Sequence, residues 1–158
     1  SIAINIMVTC NVVKICEKYK IKLIYFSTSY VYPGSKGNYS EKSNLKPINN
    51  YAWSKLGGEC AVQMYKKSLI LRICMTEKPF IHKEAFTNMK TNFIFHDEVA
   101  RLLPLFYKHT GIINIGGETQ SVYDFAKKFN KNIKGIKLKI TNTKTPIFTF
   151  SNKSVLVV

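Results

Sequence analysis

The sequence is short of the features that would place it in several large classes. No apolar run approaches the ~20 residues that a bilayer-crossing helix needs, and the opening "SIAINIMVTCNVVKIC" has neither the basic start nor the small-residue cleavage site of a secretory signal. These absences point to a soluble, cytoplasmic protein with no membrane partner. The four cysteines, Cys10, Cys16, Cys60 and Cys74, form no C-x-x-C pair, and three sit in apolar helix-like or strand-like settings where cysteine is an ordinary small hydrophobe. All four read as reduced thiols, which argues against a disulfide framework. His82, His96 and His109 do not stand at ligand spacing from any cysteine, so no metal site is expected and the histidines read as surface or loop residues.

Arginine and acid are scarce too. The 24 Lys+Arg residues outnumber 9 Asp+Glu, for a formal charge of +15, yet only Arg72 and Arg101 are arginines. Readers of bases and phosphates favour arginine for its two-point fork. Lysines scattered through every segment, as in "KKFNKNIKGIKLK", look instead like a compositional bias on solvated faces, and no nucleic-acid partner is expected.

What is present suits one domain: a chain of 158 residues can bury roughly 70% of the surface its unfolded form exposes. Ile2, Ile6, Val12, Val13 and Cys16 recur at helical spacing and predict an amphipathic helix over 1–19. "IKLIYFSTS" then switches to the short apolar run of a buried strand ending at residues 27–29, and "YPGSKGNYSEKSNLKPINN" is turn chemistry throughout. A helix capped by Asn49 or Asn50 is predicted to run to about Lys67, followed by a second buried strand, "SLILRICM". Residues 76–93 lack periodicity and read as an irregular, substrate-side insertion. "HDEVARLLPLFYKH" predicts a helix kinked or interrupted at Pro104. "GIINIGG" predicts a third strand, "SVYDFAKKFNKNI" a helix capped by Ser121, and "IKLKITN" a late strand. Helices alternating with apolar strands predict an α/β architecture with parallel strands.

The chemistry-bearing stretch is "NNYAWSKLGGE". In a helix, positions i and i+4 share a face, so Tyr51 and Lys55 are neighbours, and an ammonium beside a phenol favours the phenolate. That is an acid/base device, although Y-x-x-x-K alone is also met by chance as a solvated surface pair. "STS", residues 27–29, ends the preceding strand with three hydroxyls, one of which could orient a carbonyl while Tyr51 donates a proton.

Taken together, "IYFSTSYVYPG…YSE…KPINNYAWSKLGGE" resembles the extended short-chain dehydrogenase/reductase family, the NAD(P)-dependent sugar-nucleotide epimerases, dehydratases and reductases. Within it the pattern is most similar to the dTDP-4-dehydrorhamnose reductases. The likeness extends to "INIMVTCNVVKICEKYKIK", "LILRI" and "HDEVA…GIINIGGETQSVYDFAKK", covering most of residues 1–130. The resemblance implies the C-terminal part of a Rossmann-like, doubly wound parallel sheet with a small substrate-side region. It also implies roles. Thr28 matches the catalytic hydroxyl, Tyr51 the proton donor and Lys55 the residue that lowers its pKa and holds the nicotinamide ribose. Ser27 matches a residue lining the nicotinamide pocket, and Arg72, placed just after the second strand, one that passes close to cofactor. Thr28, Ser29 and Tyr30 fall on the substrate side, and Asn5 matches a structural asparagine. The implied cofactor is NADPH or NADH and the implied partner a nucleotide sugar.

The sequence also departs from that pattern. Ser29 replaces an aspartate common in the reductases, Val8 stands where many relatives have glycine, and Gly57 and Gly58 lie mid-helix. The G-x-x-G-x-x-G turn is missing, and Gly116 and Gly117 do not reproduce it, so residues 1–158 read as a partial NAD(P)-binding domain without its N-terminal half. Such a piece would leave one edge of the strand at 21–27 unpaired and an apolar face of the first helix uncovered, favouring a homodimer or pairing with the missing half. The sugar, the nucleotide, and reduction as against epimerisation stay open, as does a non-catalytic relative that keeps the fold for binding.

Overall fold

The computed structural model describes residues 2–139 and 147–151. Helices and strands of a parallel sheet alternate along the chain, as the α/β expectation requires. The first helix begins with π-helical turns at Ala3–Val8 and continues as α1, Thr9–Tyr19. It buries Val13 and Cys16 and ends on Lys20 in the left-handed region, whose N–H reaches the Cys16 and Glu17 carbonyls. Strand β1, Leu23–Thr28, leads through a single 3-10 turn, Ser29–Val31, into the long loop before α2, Asn50–Gln63. Then follow β2, Ser68–Ile73; β3, Met75–Thr76; β4, Glu84–Phe86; β5, Lys90–Thr91; β6, Ile94–Phe95; α3, His96–Phe106; β7, Gly111–Ile115; β8, Gln120–Ser121; α4, Val122–Lys127; β9, Lys134–Ile136; and β10, Ile147–Phe148.

The main sheet has the order β1-β2-β7, all parallel, with Thr28 opposite Ile73 and Ile73 opposite Ile115, so the three strands end level. Strand β2 is buried along its whole length. Its alternation sorts the two faces: Leu69, Leu71 and Ile73 pack with Val99, Leu102 and Phe106 of α3, while Ile70 packs with Val13, Cys16, Val62 and Tyr65 on the other side. Among the described residues β1 pairs only with β2, and Ile2, Ile4, Met7, Val8, Val12 and Ile15 are exposed.

Several boundaries differ from the sequence reading, each for a local reason. Helix α2 ends at Gln63, not near Lys67, because Ser68 turns back: its hydroxyl donates to the Val62 carbonyl and its N–H to that of Tyr65. Helix α4 stops at Lys127, where Asn130 accepts from the Asn132 N–H and offers the backbone a turn instead. Helix α3 continues past Pro104 to Phe106, the proline sitting in its last turn. Residues 76–93 are not wholly irregular. They hold two- and three-residue strands that pair with distant partners, β4 with β9, and β5 with both β8 and β10. Of the late strand expected at 136–142, Ile136 belongs to β9, and 140–142 lie outside the described residues.

The mid-helix glycines have a packing reason. A Cβ on Gly58 would meet the Tyr25 hydroxyl and, at 2.5 Å, the Asn5 carbonyl oxygen; one on Gly57 would lie 2.8 Å from Ile6. The first helix and α2 thus touch backbone to backbone.

Arg72 lies within β2 and points to α2, where it is 1% exposed. Its Nη2 donates to Glu59 Oε2 at 2.7 Å, Nε to Oε1 at 3.1 Å, and Nη1 to the Tyr32 hydroxyl at 3.0 Å. Replacing Arg72 by Met should leave a buried unpaired carboxylate and cost ~3–5 kcal/mol, whereas the double variant Arg72→Met/Glu59→Leu should recover most of it. Denaturant midpoints of the three proteins test this; a double variant no better than the single would contradict it.

Candidate active site

The carboxyl edge of the sheet gathers the predicted residues. Where the β1 ladder ends, Thr28 caps the 3-10 turn, its Oγ1 accepting from the Tyr30 N–H at 3.3 Å. The loop then runs back along itself, with Lys46 N–H on the Val31 carbonyl and Ile48 N–H on that of Tyr30, and this brings Asn49 beside β1. Asn49 Oδ1 accepts from the Ala52 N–H at 2.8 Å and so starts α2. Tyr51, in the first turn of α2, faces a pocket of about 260 Å³ lined by Ser27, Thr28, Ser29 and Tyr30, and across it by Cys74 and His96. Asn5 acts at one remove: it donates to Ser54 Oγ at 2.9 Å, and Ser54 donates to the Tyr51 carbonyl at 2.8 Å.

The electrostatics differ from the simplest reading of Y-x-x-x-K. Burial pushes the Tyr51 phenol above its ordinary value, so it stands protonated. The Lys55 ammonium lies over the Tyr25 ring, 4.2 Å from its centroid. Burial lowers the Lys55 pKa and the Glu59 charge opposes that. Tyr25 is pushed up to about 12 by burial and by Glu59, and Tyr30 to about 12 by burial first, then by Cys74 and Tyr51. Ser27 Oγ is buried and has no hydrogen-bond partner among the described residues, which marks the pocket as a place for a polar ligand.

Thr28, Tyr51, Ser27, Ser29 and Tyr30 therefore meet in one pocket. Lys55 sits one turn along α2, outside the lining, and Arg72 is set apart, inside β2 with its guanidinium bound to Glu59 and Tyr32. The sequence reading did not find Ile73, Cys74, Met75, Phe93 and His96 in the lining. The β3–β6 pairing brings them there, and two-residue strands leave no periodic signal. A second pocket, about 340 Å³, adjoins the first, sharing Tyr30 and Phe93 and adding Phe80, His82, Phe86 and Val122. Among the described residues no three His, Cys, Asp or Glu side chains converge as a metal set, and all four cysteines are free.

A level parallel sheet that presents Thr28 at its carboxyl edge, opposite a helix-borne Tyr51 and Lys55, defines a Rossmann-like α/β protein of the extended short-chain dehydrogenase/reductase type. The family described as "RmlD substrate binding domain" matches residues 1–90, more than half of the chain, and the chain belongs to that family. Among curated proteins it is similar to dTDP-D-glucose 4,6-dehydratase of Dictyostelium discoideum, 36% identical over 85 residues, which span 46% of this chain and 20% of that protein. Among solved structures it is similar to dTDP-4-dehydrorhamnose reductase of Bacillus anthracis in complex with NADP, with a TM-score of 0.79 at 20% identity, covering 94% of this chain and 62% of the other. UDP-glucuronic acid 4-epimerase of Bacillus cereus in complex with NAD gives a TM-score of 0.68 at 27% identity, covering 85% and 54%. The chain thus spans about a fifth of that curated relative, and three fifths or less of these two structures.

Tyr30 makes alkaline stability a test of the pocket's burial. Its folded pKa lies above the unfolded value, so its contribution is complete below about pH 10 and is lost as pH rises towards about 12. Tyr30→Phe should lose less stability than the parent protein between about pH 9 and about pH 11, read from urea midpoints. Equal losses would place the Tyr30 phenol in contact with water.

Proposed function

We propose that this chain belongs to an NAD(P)-dependent reductase of a 4-keto-6-deoxy sugar nucleotide, a dTDP-4-dehydrorhamnose reductase-like enzyme. The observation that carries the reading is the pocket in which a protonated Tyr51 and Thr28 face the same space. NADPH or NADH, when bound, supplies the hydride and leaves oxidised. The residues present suit the nicotinamide end: the unpartnered Ser27 hydroxyl lines the pocket, and Tyr51 and Lys55 stand beside it on α2. Among the described residues Gly116 and Gly117 do not form a pyrophosphate cradle, since a Cβ on Gly116 would meet Asn92 at 2.7 Å and one on Gly117 would meet the Phe93 carbonyl.

The protein's own part is orientation and proton transfer. Thr28 has its oxygen committed to the Tyr30 N–H as acceptor, so its hydroxyl proton is free to bind the substrate carbonyl oxygen. Tyr51 gives its phenolic proton to that oxygen as the carbonyl carbon gains hydride, leaving a secondary alcohol on the sugar and a phenolate on the enzyme. The Lys55 ammonium, on the same face one turn on, stabilises the phenolate until water reprotonates it. Burial keeps the phenol protonated at the start, and the nearby Lys55 ammonium offsets the cost of leaving a phenolate there.

Tyr51→Phe should lower kcat at least a hundredfold with little change in affinity for NADPH or NADH. Turnover of a dTDP-4-keto-6-deoxyhexose with NADPH, and quenching of the neighbouring Trp53 by the dinucleotide, measure the two quantities. Turnover retained by Tyr51→Phe would remove the assignment; conversion between C4 epimers of an intact UDP-hexose, without net reduction, would move it to the epimerases.

A further inference from the structure

The pocket wall across from α2 holds a side chain that the proton transfer does not use. His96 is the first residue of α3 and lines the same 260 Å³ pocket as Thr28 and Tyr51. Its backbone is fixed from two sides. Strands β3 and β6 pair with Met75 opposite Ile94 and Thr76 opposite Phe95, and the Ile94 N–H reaches the Cys74 carbonyl at 3.0 Å. Glu98 Oε2 accepts from the Phe95 N–H at 2.9 Å, and Phe95 itself is 3% exposed. The imidazole makes no hydrogen bond or ion pair among the described residues. Its acidic neighbours are engaged elsewhere, Glu98 on the Phe95 N–H and Asp97 with Lys78 at 3.8 Å and Arg101 at 3.7 Å. A rigidly mounted but unpartnered imidazole at the rim thus accompanies the unpartnered Ser27 hydroxyl deeper in the pocket.

Geometry says what such a group would contribute. Thr28 and Tyr51 both act on one atom, the carbonyl oxygen. Two hydrogen bonds to one oxygen leave the sugar ring free to turn about its C=O axis, and either face could then meet the hydride. A third contact, to a ring hydroxyl on the far side, removes that rotation. We propose that His96 supplies it: the imidazole hydrogen-bonds a hydroxyl of the sugar and so selects the face of the carbonyl that is reduced. The inference rests on the reductase reading above and adds to it a stereochemical determinant. The residue is exposed and makes no hydrogen bond or ion pair among the described residues, so its replacement breaks no such contact.

The test compares His96→Leu and His96→Gln in the whole protein, assayed with NADPH and a dTDP-4-keto-6-deoxyhexose, with the two C4-epimeric products resolved. His96→Leu should raise KM for the nucleotide sugar roughly tenfold and leave that for NADPH within about twofold, and the second epimer should appear. His96→Gln, whose amide can replace the imidazole donor, should keep a single epimer. One epimer from His96→Leu overturns the inference whatever its KM, and so does an equal rise in both KM values, which a merely structural role would produce. A parent protein that neither binds nor reduces the nucleotide sugar removes the reductase reading and this inference with it; an active parent with an unaffected His96→Leu removes the inference alone.

Discussion

The arrangement of the whole molecule depends on one buried ion pair. Arg72 and Glu59 are 1% and 0% exposed, and taking two charges out of water costs several kcal/mol each unless every donor and lone pair finds a partner. Here they do. The guanidinium engages both carboxylate oxygens, the Tyr32 hydroxyl and the Glu41 carbonyl; the Tyr32 hydroxyl donates to Asn114 Oδ1 at 2.8 Å, and the Asn114 amide donates to the Tyr39 carbonyl. The network therefore joins β2, α2, the loop after β1, and β7. Because a helix is a rigid rod, fixing Glu59 against the sheet also fixes the rotation and height of Tyr51, about two turns earlier on the same face. The same carboxylate supports the charge of Lys55 against the burial that would remove it. One pair thus anchors the helix that carries Tyr51 and favours the charged form of Lys55.

This explains which parts of the molecule were legible in the sequence. The three core strands, the Asn49 and Ser121 caps and the Tyr51–Lys55 spacing are local patterns, and each forms as those patterns dictate. The hydroxyls of residues 27–29 meet Tyr51 because a strand end and a capped helix start are both local features, joined by a loop that only has to be long enough. Arg72 was legible as part of the buried run "SLILRICM", but its partner was not. A lone charge after Leu69, Ile70 and Leu71 does not say what neutralises it, and here Glu59 does so from across the helix–sheet interface. Nothing in either local stretch announces the other. His96, Cys74 and Phe93 were missed for a related reason: strands of two residues carry no alternation, and their partners lie up to dozens of residues away.

The Tyr51–Lys55 pair shows how a correct spacing can still leave the electrostatics undetermined. The i, i+4 relation places the two side chains on one face, but a lysine has four rotatable carbons and takes the best electron-rich partner within reach, here the Tyr25 ring. Tyr25 is held in place by its hydroxyl on the Lys55 carbonyl and by the close approach of Gly58. Burial holds the resting phenol protonated. Under the reductase reading proposed above, the ammonium would matter only once negative charge develops on Tyr51, and a cation that stabilises the charged state more than the starting one is what accelerates a proton transfer.

The position of the pocket follows from the sheet. Parallel strands that end level leave their last side chains without a ladder neighbour, and where those side chains are hydroxyls they must find other partners or a ligand. Thr28 finds the Tyr30 N–H, while Ser27, one residue earlier and on the other face of the strand, finds none. The carboxyl edge then divides at Tyr30 and Phe93 into two chambers, one lined with hydroxyls beside the acid and the other with Phe80, Phe86 and Val122. Tyr30 can stand between them because the Phe148 ring meets it edge-on at 5.1 Å. Under the reductase reading proposed above, a nucleotide sugar, with a polyhydroxy ring at one end and a flat base at the other, would match that division. The shared wall would then set its direction, leaving the hydroxyl chamber to settle which face of the ring is turned towards Tyr51.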